Sequence, residues 1–133
     1  MVKMLLALED DLPQAEAQIA AIENFAQTAG DMEALILHVF DENPENASVH
    51  QIATVRETRD RLEETGVTVK LLESSGDPGE EIIKQAEEYD VDQICVGGKK
   101  RSPAGKALFG SVTQEVILST QRPVLVCGNA TDY

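Results

Sequence analysis

The chain of 133 residues has no tryptophan, three phenylalanines, two tyrosines and two cysteines. It is also short of positive charge, since 11 Lys and Arg stand against 24 Asp and Glu and give a formal net charge of −13. A chain this acidic repels phosphate polyanions and anionic membrane surfaces, because the summed charge sets the sign of non-specific association. The composition therefore excludes generic nucleic-acid binding.

Long apolar runs are missing as well. No stretch approaches the roughly 18 apolar residues that a membrane-spanning helix needs. The first apolar segment leads directly into Glu9, Asp10 and Asp11, without the basic region or the cleavage site of a signal peptide. These absences predict a cytoplasmic protein without membrane insertion, and the length predicts one domain over residues 1–133.

The acid excess has two explanations that composition does not separate. One is a solvated surface suited to a high-salt, halophilic cytoplasm, where screening weakens the repulsion between like charges. The other is an acidic protein that works at ordinary salt concentrations.

The two cysteines, Cys95 and Cys127, each lie in a short apolar run, and neither belongs to a C-x-x-C motif. Free cysteines in a reducing compartment are usually buried as small apolar side chains. A redox or metal pair would need His or Cys neighbours, and the sequence shows none near either residue. We expect two buried thiols.

Short apolar runs alternate with amphipathic segments along the chain. Runs that are apolar on both faces are typical of parallel strands covered on both sides, and five occur: Met4–Leu8, Ala34–Phe40, Val67–Leu72, Gln93–Val96 and Pro123–Cys127. Helical spacing marks two buried faces between them: Ala15, Ile19, Ile22 and Ala26, then Ile52, Val55, Arg59 and Leu62. The alternation predicts a doubly wound, three-layer α/β/α fold with a parallel sheet.

Boundary signals support these helices. Gly30 and Gly66 follow the first two helices at positions where a left-handed residue usually ends a helix. Pro78 marks the start of the third helix. Ser111 is predicted to cap the fourth helix through a Ser111-x-x-Gln114 capping box.

The segment from Gly97 to Gly110 follows the fourth strand and is predicted as a long loop. Residues 99–106 hold four of the 11 bases and no acid, so the rest of the chain carries a net charge of −17. Glycine backbone and the N–H groups of a following helix bind phosphate well, and ligands of such sheets bind at strand ends. The segment predicts a phosphate site, although a solvated basic loop explains the same residues.

Two common nucleotide motifs are absent. Gly105 and Lys106 are followed by Ala107 rather than Ser or Thr, so the segment is not a P-loop. The residues after the first strand, Glu9 to Pro13, contain no glycine and no dinucleotide fingerprint.

Five segments carry a resemblance to a known family: Leu6-Ala7-Leu8-Glu9-Asp10, Leu37-His38-Val39, Gly76-Asp77-Pro78, Val96 to Thr113, and Arg122 to Val126. Together they resemble the universal stress proteins over essentially the whole chain. The resemblance implies a five-stranded parallel sheet of order 3-2-1-4-5. It also implies a homodimer formed through the last strand, with Pro123, Val124, Leu125 and Val126 at the interface.

One branch of that family binds ATP or AMP with a G-x-x-G-(nine residues)-G-[ST] loop. Here Gly97, Gly110 and Ser111 match that loop, whereas Lys100 replaces its second glycine. Either Lys100 is strained at a positive φ, or it contributes its N–H group and, with Arg101, positive charge toward the phosphates. We favour the second alternative.

The resemblance implies further nucleotide contacts. Glu9 corresponds to the family's acidic residue at the end of the first strand and would reach the ribose or a bridging Mg²⁺. Val39 matches the position whose backbone reads the adenine edge. Ala7 and Val112 match apolar or backbone contacts, and we include Thr113 in the predicted site.

The implied function is a small regulatory homodimer that binds adenine nucleotide in a stress response, with no catalytic residue predicted. His38, near a strand end, is expected to be a packed side chain rather than a base. The alternative is a nucleotide-free interaction module with the same fold, which the lysine at position 100 supports. An adenylyl-transfer enzyme would need a Ser-Gly-Gly-x-Asp type of loop, and the residues after the first strand do not resemble one.

Overall fold

The computed structural model of the chain describes residues 1–9, 12–40, 48–101 and 107–128. Strands and helices alternate through most of this part. The elements in chain order are β1 (Val2–Ala7), α1 (Leu12–Ala29), β2 (Met32–Phe40), a short 3₁₀ helix (Val49–Gln51), α2 (Ala53–Glu64), β3 (Thr68–Ser75), α3 (Pro78–Glu88), β4 (Gln93–Arg101), β5 (Ala107–Phe109), α4 (Ser111–Ser119) and β6 (Val124–Gly128).

Five of the strands run parallel in the order β3-β2-β1-β4-β6. Since β6 is the fifth strand of the parallel set, this is the predicted order 3-2-1-4-5, and the predicted fold class is confirmed. The winding reverses between β1 and β4, because these neighbouring strands are continued by helices on opposite faces of the sheet.

The segment after the fourth strand differs from the prediction. Its first residues continue β4, and residues 99–101 pair antiparallel with residues 107–109 of β5. The prediction of an uninterrupted loop was wrong because these backbone groups satisfy one another in a hairpin. Residues 102–106, which include part of the basic segment, lie outside the described residues.

Helices cover both faces of the sheet, and alternate residues of β1 separate the two cores. Leu5 is fully buried on the side of α3 and α4, with Ile82, Ala86 and Val116. Met4 and Leu6 are fully buried on the side of α1 and α2, among Ile19, Ile22, Val55 and Leu62. None of the described helices combines the length and apolar character required to cross a membrane.

Most predicted helix boundaries are confirmed. Gly30 and Gly66 end α1 and α2 at φ values of 77° and 88°, in the left-handed region. Pro78 is at the start of α3, where the Asp77 side chain accepts a hydrogen bond of 3.0 Å from Glu80 N–H. The buried face of α2 also includes Thr58, whereas Arg59, which interrupts the predicted apolar stripe, is only partly buried.

The predicted cap of α4 is wrong by one residue. Gly110, with an extended backbone, is the N-cap, and Ser111 is the first helical residue without a side-chain cap bond. The capping box fails because the Gln114 amide donates a hydrogen bond of 2.9 Å to the Phe109 carbonyl instead of accepting one from the N-cap.

An acidic contact joins the two helices on one face. The Glu115 carboxyl of α4 lies against the first turn of α3, where a Cβ added at Gly79 would overlap it. A hydrogen bond with Asp77 is the main cause that raises the pKa of Glu115, and partial desolvation and nearby negative charge add to it. The folded chain therefore holds this proton more tightly than the unfolded chain does.

We expect this contact to make stability depend on pH. A raised carboxyl pKa contributes stability that is complete in acid and is lost as the pH rises through the folded-state pKa. Glu115→Gln replaces the titrating group with an amide that donates to Asp77 at every pH, so its thermal midpoint should exceed that of the wild type at neutral pH. The difference should shrink toward about pH 4. Thermal unfolding followed by circular dichroism across this range tests it.

Glu57→Gln is the matched control, since Glu57 is an exposed acid on α2. Its midpoint should follow that of the wild type at each pH. A Glu115→Gln protein that is less stable than the wild type at neutral pH would contradict the assignment.

Candidate functional site

A crevice opens where β1 and β4 separate. Their last paired residues are Leu6 and Cys95, and beyond this point the carboxyl ends of β1, β2 and β4 surround a cavity of about 530 Å³. Ligands of open α/β sheets bind at this kind of position. Six of the predicted site residues line the cavity: Ala7, Glu9, Val39, Gly97, Val112 and Thr113.

A second cavity of about 340 Å³ adjoins the first and extends to the beginning of α4. The two cavities share five lining residues, and the second also reaches Gly110 and Ser111; the shared residues are Glu9, Gln14, Gly97, Val112 and Thr113. The structure thus brings eight of the ten predicted site residues to one continuous crevice. The other two, Lys100 and Arg101, lie in β4, and their side chains are outside the described part of the structure.

One end of the crevice is mainly apolar. Leu37 and Val39 of β2 line it, together with Pro78 and Ile82 of α3. Val39 is also packed against the core on the side of α3 and α4. This end is a slot between the carboxyl end of β2 and helix α3, and such a slot suits a flat apolar group.

His38 lies at this end, but its ring is held in place. Its Nδ1 atom is 2.9 Å from the Leu8 carbonyl oxygen, and because a carbonyl only accepts, Nδ1 carries the hydrogen. The ring also meets Phe40 edge to face at 4.7 Å between centroids. His38 is thus packed and hydrogen-bonded, as predicted from its place near a strand end.

Bare backbone forms the centre of the crevice at two consecutive glycines. A Cβ at Gly97 would come within 2.9 Å of Gln14 Oε1 of α1, so a larger residue would have to displace the Gln14 side chain. Gly98 has a φ of 90°, and a Cβ there would approach Thr113 Oγ1 at 3.3 Å. Thr113 also donates a hydrogen bond of 2.7 Å to the Gly97 carbonyl.

These glycines change the interpretation of position 100. Lys100 pairs with Leu108 inside a strand, an extended conformation that lysine adopts without strain. The left-handed conformation of this segment occurs at Gly98 instead. The sequence prediction had considered strain at Lys100 and did not single out Gly98.

Gln18 is the principal residue that the sequence prediction missed. It is fully buried in α1, and its amide donates hydrogen bonds to the carbonyls of Ala7 at 2.9 Å and Cys95 at 3.4 Å. Gln18 therefore bridges the ends of β1 and β4 at the floor of the crevice. The available signal was its place on the apolar face of α1, three residues after Ala15 and four before Ile22.

The other end of the crevice is the amino terminus of α4. Gly110 is the N-cap, and Ser111, Val112 and Thr113 form the first turn, whose N–H groups have no acceptor within the helix. Such N–H groups and the helix dipole attract anions. A Cβ at Gly110 would meet no atom of the described residues within 4 Å, so this part of the chain leaves room in front of the turn.

The charged groups at the crevice are few. Glu9 is the one acidic residue of the described chain that lines either cavity. The described residues contain no group of three or more His, Cys, Asp or Glu side chains placed to hold a metal ion. Asp10 and Asp11 lie outside the described residues.

The fold and this crevice define a class of doubly wound α/β proteins with a ligand site where the winding reverses. More specifically, the chain belongs to the universal stress protein family, whose model matches residues 2–128.

Individual relatives agree with this assignment. The chain is 43% identical to universal stress protein MJ0577 of Methanocaldococcus jannaschii over 65 residues, which cover 49% of this chain and 40% of that protein. It is 27% identical to a universal stress protein of Mycolicibacterium smegmatis over 90% of this chain and 84% of the relative. The solved structure of MJ0577 superposes with a TM-score of 0.76 and 31% identity, covering 95% of this chain and 94% of that one.

A ligand-bound structure shares the fold at lower identity. The universal stress protein of Archaeoglobus fulgidus in complex with dAMP superposes with a TM-score of 0.70 and 20% identity, covering 96% of this chain and 98% of that chain. This likeness shows that the two chains have the same fold.

The buried amide of Gln18 leads to a prediction. Gln18→Glu replaces the donor to the Ala7 carbonyl with a buried carboxylate that repels this carbonyl oxygen. We expect a loss of about 3 kcal/mol or more in the free energy of unfolding at neutral pH, because an unpaired buried charge is strongly unfavourable. Protonation should restore part of the loss in acid. Urea unfolding at two pH values measures both effects.

Gln27→Glu is the control, since Gln27 is exposed on the same helix, and it should change the free energy of unfolding by at most about 0.5 kcal/mol. If Gln18→Glu is as stable as this control at neutral pH, Gln18 does not hold the crevice as described.

Proposed function

We propose that this universal stress protein binds an adenine nucleotide, ATP or AMP, in the crevice between β1 and β4. The observation that carries the proposal is the shape of the crevice. It is a continuous space with an apolar slot at one end and the amino terminus of a helix at the other. A nucleotide has the same arrangement, with a flat base at one end and phosphates at the other.

The adenine fits the apolar end. Val39 and Ile82 line the two sides of the slot. The backbone of Val39, at the carboxyl end of β2, offers hydrogen-bonding groups for the edge of the base. Ala7 lies at the floor of the crevice, where its carbonyl is already engaged by Gln18.

The phosphates fit the polar end. Their charge would be stabilised by the first-turn N–H groups of α4 and by the backbone at Gly97 and Gly98, where side chains would obstruct a close approach. The bases of residues 99–106 follow directly in the sequence and add positive charge. In this proposal Lys100 and Arg101 contribute to the attraction of the phosphates.

The dAMP complex of the A. fulgidus relative supports an adenine nucleotide as the ligand. The fold is the same, and dAMP has the chemical groups that the crevice suits. ATP and AMP differ in how far the phosphates extend past Gly110, where the structure leaves room.

The described side chains at the crevice would bind a magnesium ion only if the nucleotide supplied further oxygen ligands. Glu9 is the sole acidic side chain of the described residues at the crevice, and Mg²⁺ prefers an octahedral set of oxygen ligands. Glu9 would therefore hold Mg²⁺ together with phosphate oxygens and water, and the ion would neutralise phosphate charge. Alternatively, Glu9 would bind the ribose hydroxyls.

The proposed role is regulatory binding and not efficient catalysis. The Nδ1 atom of His38 is hydrogen-bonded to the Leu8 carbonyl. Neither cysteine is among the described residues that line the crevice. Slow hydrolysis of bound ATP would need no dedicated base.

A nucleotide-free interaction module is the second candidate. The observation that favours it is the lysine at position 100, where the nucleotide-binding branch has glycine. In this case the chain would keep the fold and the dimer without a ligand.

Isothermal titration with ATP, AMP and GTP, with and without Mg²⁺ and at low and molar KCl, tests the proposal. We expect binding of an adenine nucleotide by the wild type. Gly110→Val should weaken it by about 100-fold or more, because the new side chain occupies the space in front of α4 without meeting another atom of the described residues. Ser119→Val, at the exposed far end of α4, is the control and should bind as the wild type does.

Lys100→Gly separates the two candidate functions. Under the proposal this variant keeps nucleotide binding, within about tenfold of the wild type. If the wild type gives no heat with any adenine nucleotide, the proposal is wrong. If Lys100→Gly binds adenine nucleotide more than about tenfold more tightly than the wild type, Lys100 weakens nucleotide binding and its proposed role is wrong.

We further propose a homodimer through residues Pro123, Val124, Leu125 and Val126. In the described chain β6 pairs only with β4, so its other side is an open edge. The Pro123 carbonyl accepts a hydrogen bond of 3.0 Å from Ile94 N–H. Because alternate residues of a strand direct their backbone groups to opposite sides, those of Val124 and Val126 face the open edge. Pairing with a second copy would satisfy them.

Val126→Pro tests this dimer. It removes an N–H group that points away from β4, so the fold should persist while the dimer dissociation constant rises about 100-fold. Val126→Ala, which keeps the N–H group, should remain dimeric. Light scattering at about 50 μM distinguishes dimer from monomer. A wild type that is monomeric at this concentration, or a Val126→Pro protein that dimerises as well as Val126→Ala, would overturn the proposed interface.

A further inference from the structure

The two cysteines, which are distant in sequence, are neighbours in the sheet. Cys95 of β4 is opposite Leu125 of β6, so Cys127 lies two residues further along the adjacent strand and on the same face. Their Sγ atoms are 3.6 Å apart, and both thiols are free. The sequence-based expectation that neither has a Cys neighbour was wrong, because strand pairing joins positions that the sequence separates.

The surroundings of the pair favour thiol chemistry over metal binding. Both side chains lie in the apolar core between the sheet and α1 and α2. The Gln18 amide also approaches the pair, with its Nε2 atom 4.0 Å from Cys95 Sγ. A closed metal site would need further ligands, and the described residues offer no third His, Cys, Asp or Glu group.

The two thiols are not equivalent. Cys95 is fully buried, whereas Cys127 is 8% exposed near the end of β6. The hydrogen bond between them lowers the pKa of Cys127 and, together with burial, raises the pKa of Cys95. Cys127, the more exposed of the two thiols, therefore forms the thiolate more readily.

Disulfide formation requires the backbone around the pair to move, because Cys127 is offset by two positions from the residue opposite Cys95. A disulfide needs a separation of about 2.0 Å, so the two Sγ atoms must come closer. Cys127 is the penultimate residue of β6, which is paired on one side only in the described chain. The partner strand has an irregular register between Val96 and Lys99, directly opposite this point. Strand ends at a sheet edge shift at lower cost than central strands do.

We propose that Cys95 and Cys127 form a reversible disulfide that links β4 to β6 on exposure to a small-molecule disulfide. The thiolate of Cys127 attacks one sulfur of that molecule and releases a thiolate. Cys95 then attacks Cys127 Sγ, and the second small thiolate leaves and takes up the proton of Cys95. Two protein thiols are oxidised, and one small disulfide is reduced to two thiols.

The proposed disulfide would lie on the strand that forms the centre of the crevice. Cys95 is two residues before Gly97, in the strand that forms the centre of the crevice, and its carbonyl accepts a hydrogen bond from Gln18. The disulfide would fasten the edge strand β6 to this strand. It is a modification site separate from the residues that line the crevice.

Equilibration of the full chain with mixtures of reduced and oxidised glutathione tests the proposal. After acid quenching, the chain is denatured, its remaining thiols are alkylated, and its mass is measured. We expect an intramolecular disulfide whose equilibrium constant in native buffer exceeds that in urea by about tenfold or more, because the fold holds the sulfurs together. An equal or smaller constant in native buffer would overturn the proposal, and so would a covalent dimer.

Two single variants test the order of the steps. Cys95→Ala should accumulate a mixed disulfide of glutathione on Cys127, since no second thiol resolves it. Cys127→Ala should leave Cys95 reduced, since that thiol is fully buried. The opposite pattern would overturn the assignment of Cys127 as the attacking thiol. The comparison of native buffer with urea uses the wild type alone, so it does not depend on the folding of either variant.

Discussion

The amide of Gln18 spans the point where β1 and β4 separate, and the candidate binding crevice depends on this contact. Pairing of the two strands ends at Leu6 and Cys95, so the Ala7 carbonyl extends beyond the ladder. Gln18 donates to it at 2.9 Å from the buried face of α1. A polar side chain on an otherwise apolar helix face thus stabilises the separation of two strands, which a purely apolar core would leave with an unsatisfied carbonyl.

Charge is distributed unevenly between the crevice and the rest of the chain. The whole chain is strongly acidic, yet the crevice ends at a helix amino terminus and is followed in sequence by a short segment with four bases and no acid. An acidic surface repels extended polyanions, whereas one small anion needs only a local site. The binding of a single nucleotide is therefore consistent with the exclusion of nucleic acid.

Periodicity and boundary residues were sufficient to predict the doubly wound α/β class, whereas the strand order was predicted from the resemblance to the family. Strands apolar on both faces gave the parallel sheet, and glycines such as Gly30 and Gly66 gave the helix ends. Resemblance to the family supplied the site residues, eight of which the structure places around one crevice. The roles of Gln18 and the cysteine pair were not predictable, because they depend on which strands become neighbours. The hairpin of β4 and β5 was missed because its paired arms are only three residues long and one of them, residues 99–101, is entirely basic.

The central claim is that adenine nucleotide occupies the crevice between β1 and β4. Titration of the ¹⁵N-labelled protein with AMP, followed by amide chemical shifts, tests it most directly. The account predicts that the largest changes occur at Val39, at Gly97 and Gly98, and at the first turn of α4, while the exposed face of α2 is unaffected. Absence of shifts at saturating AMP, or changes centred on residues away from the crevice, would contradict it.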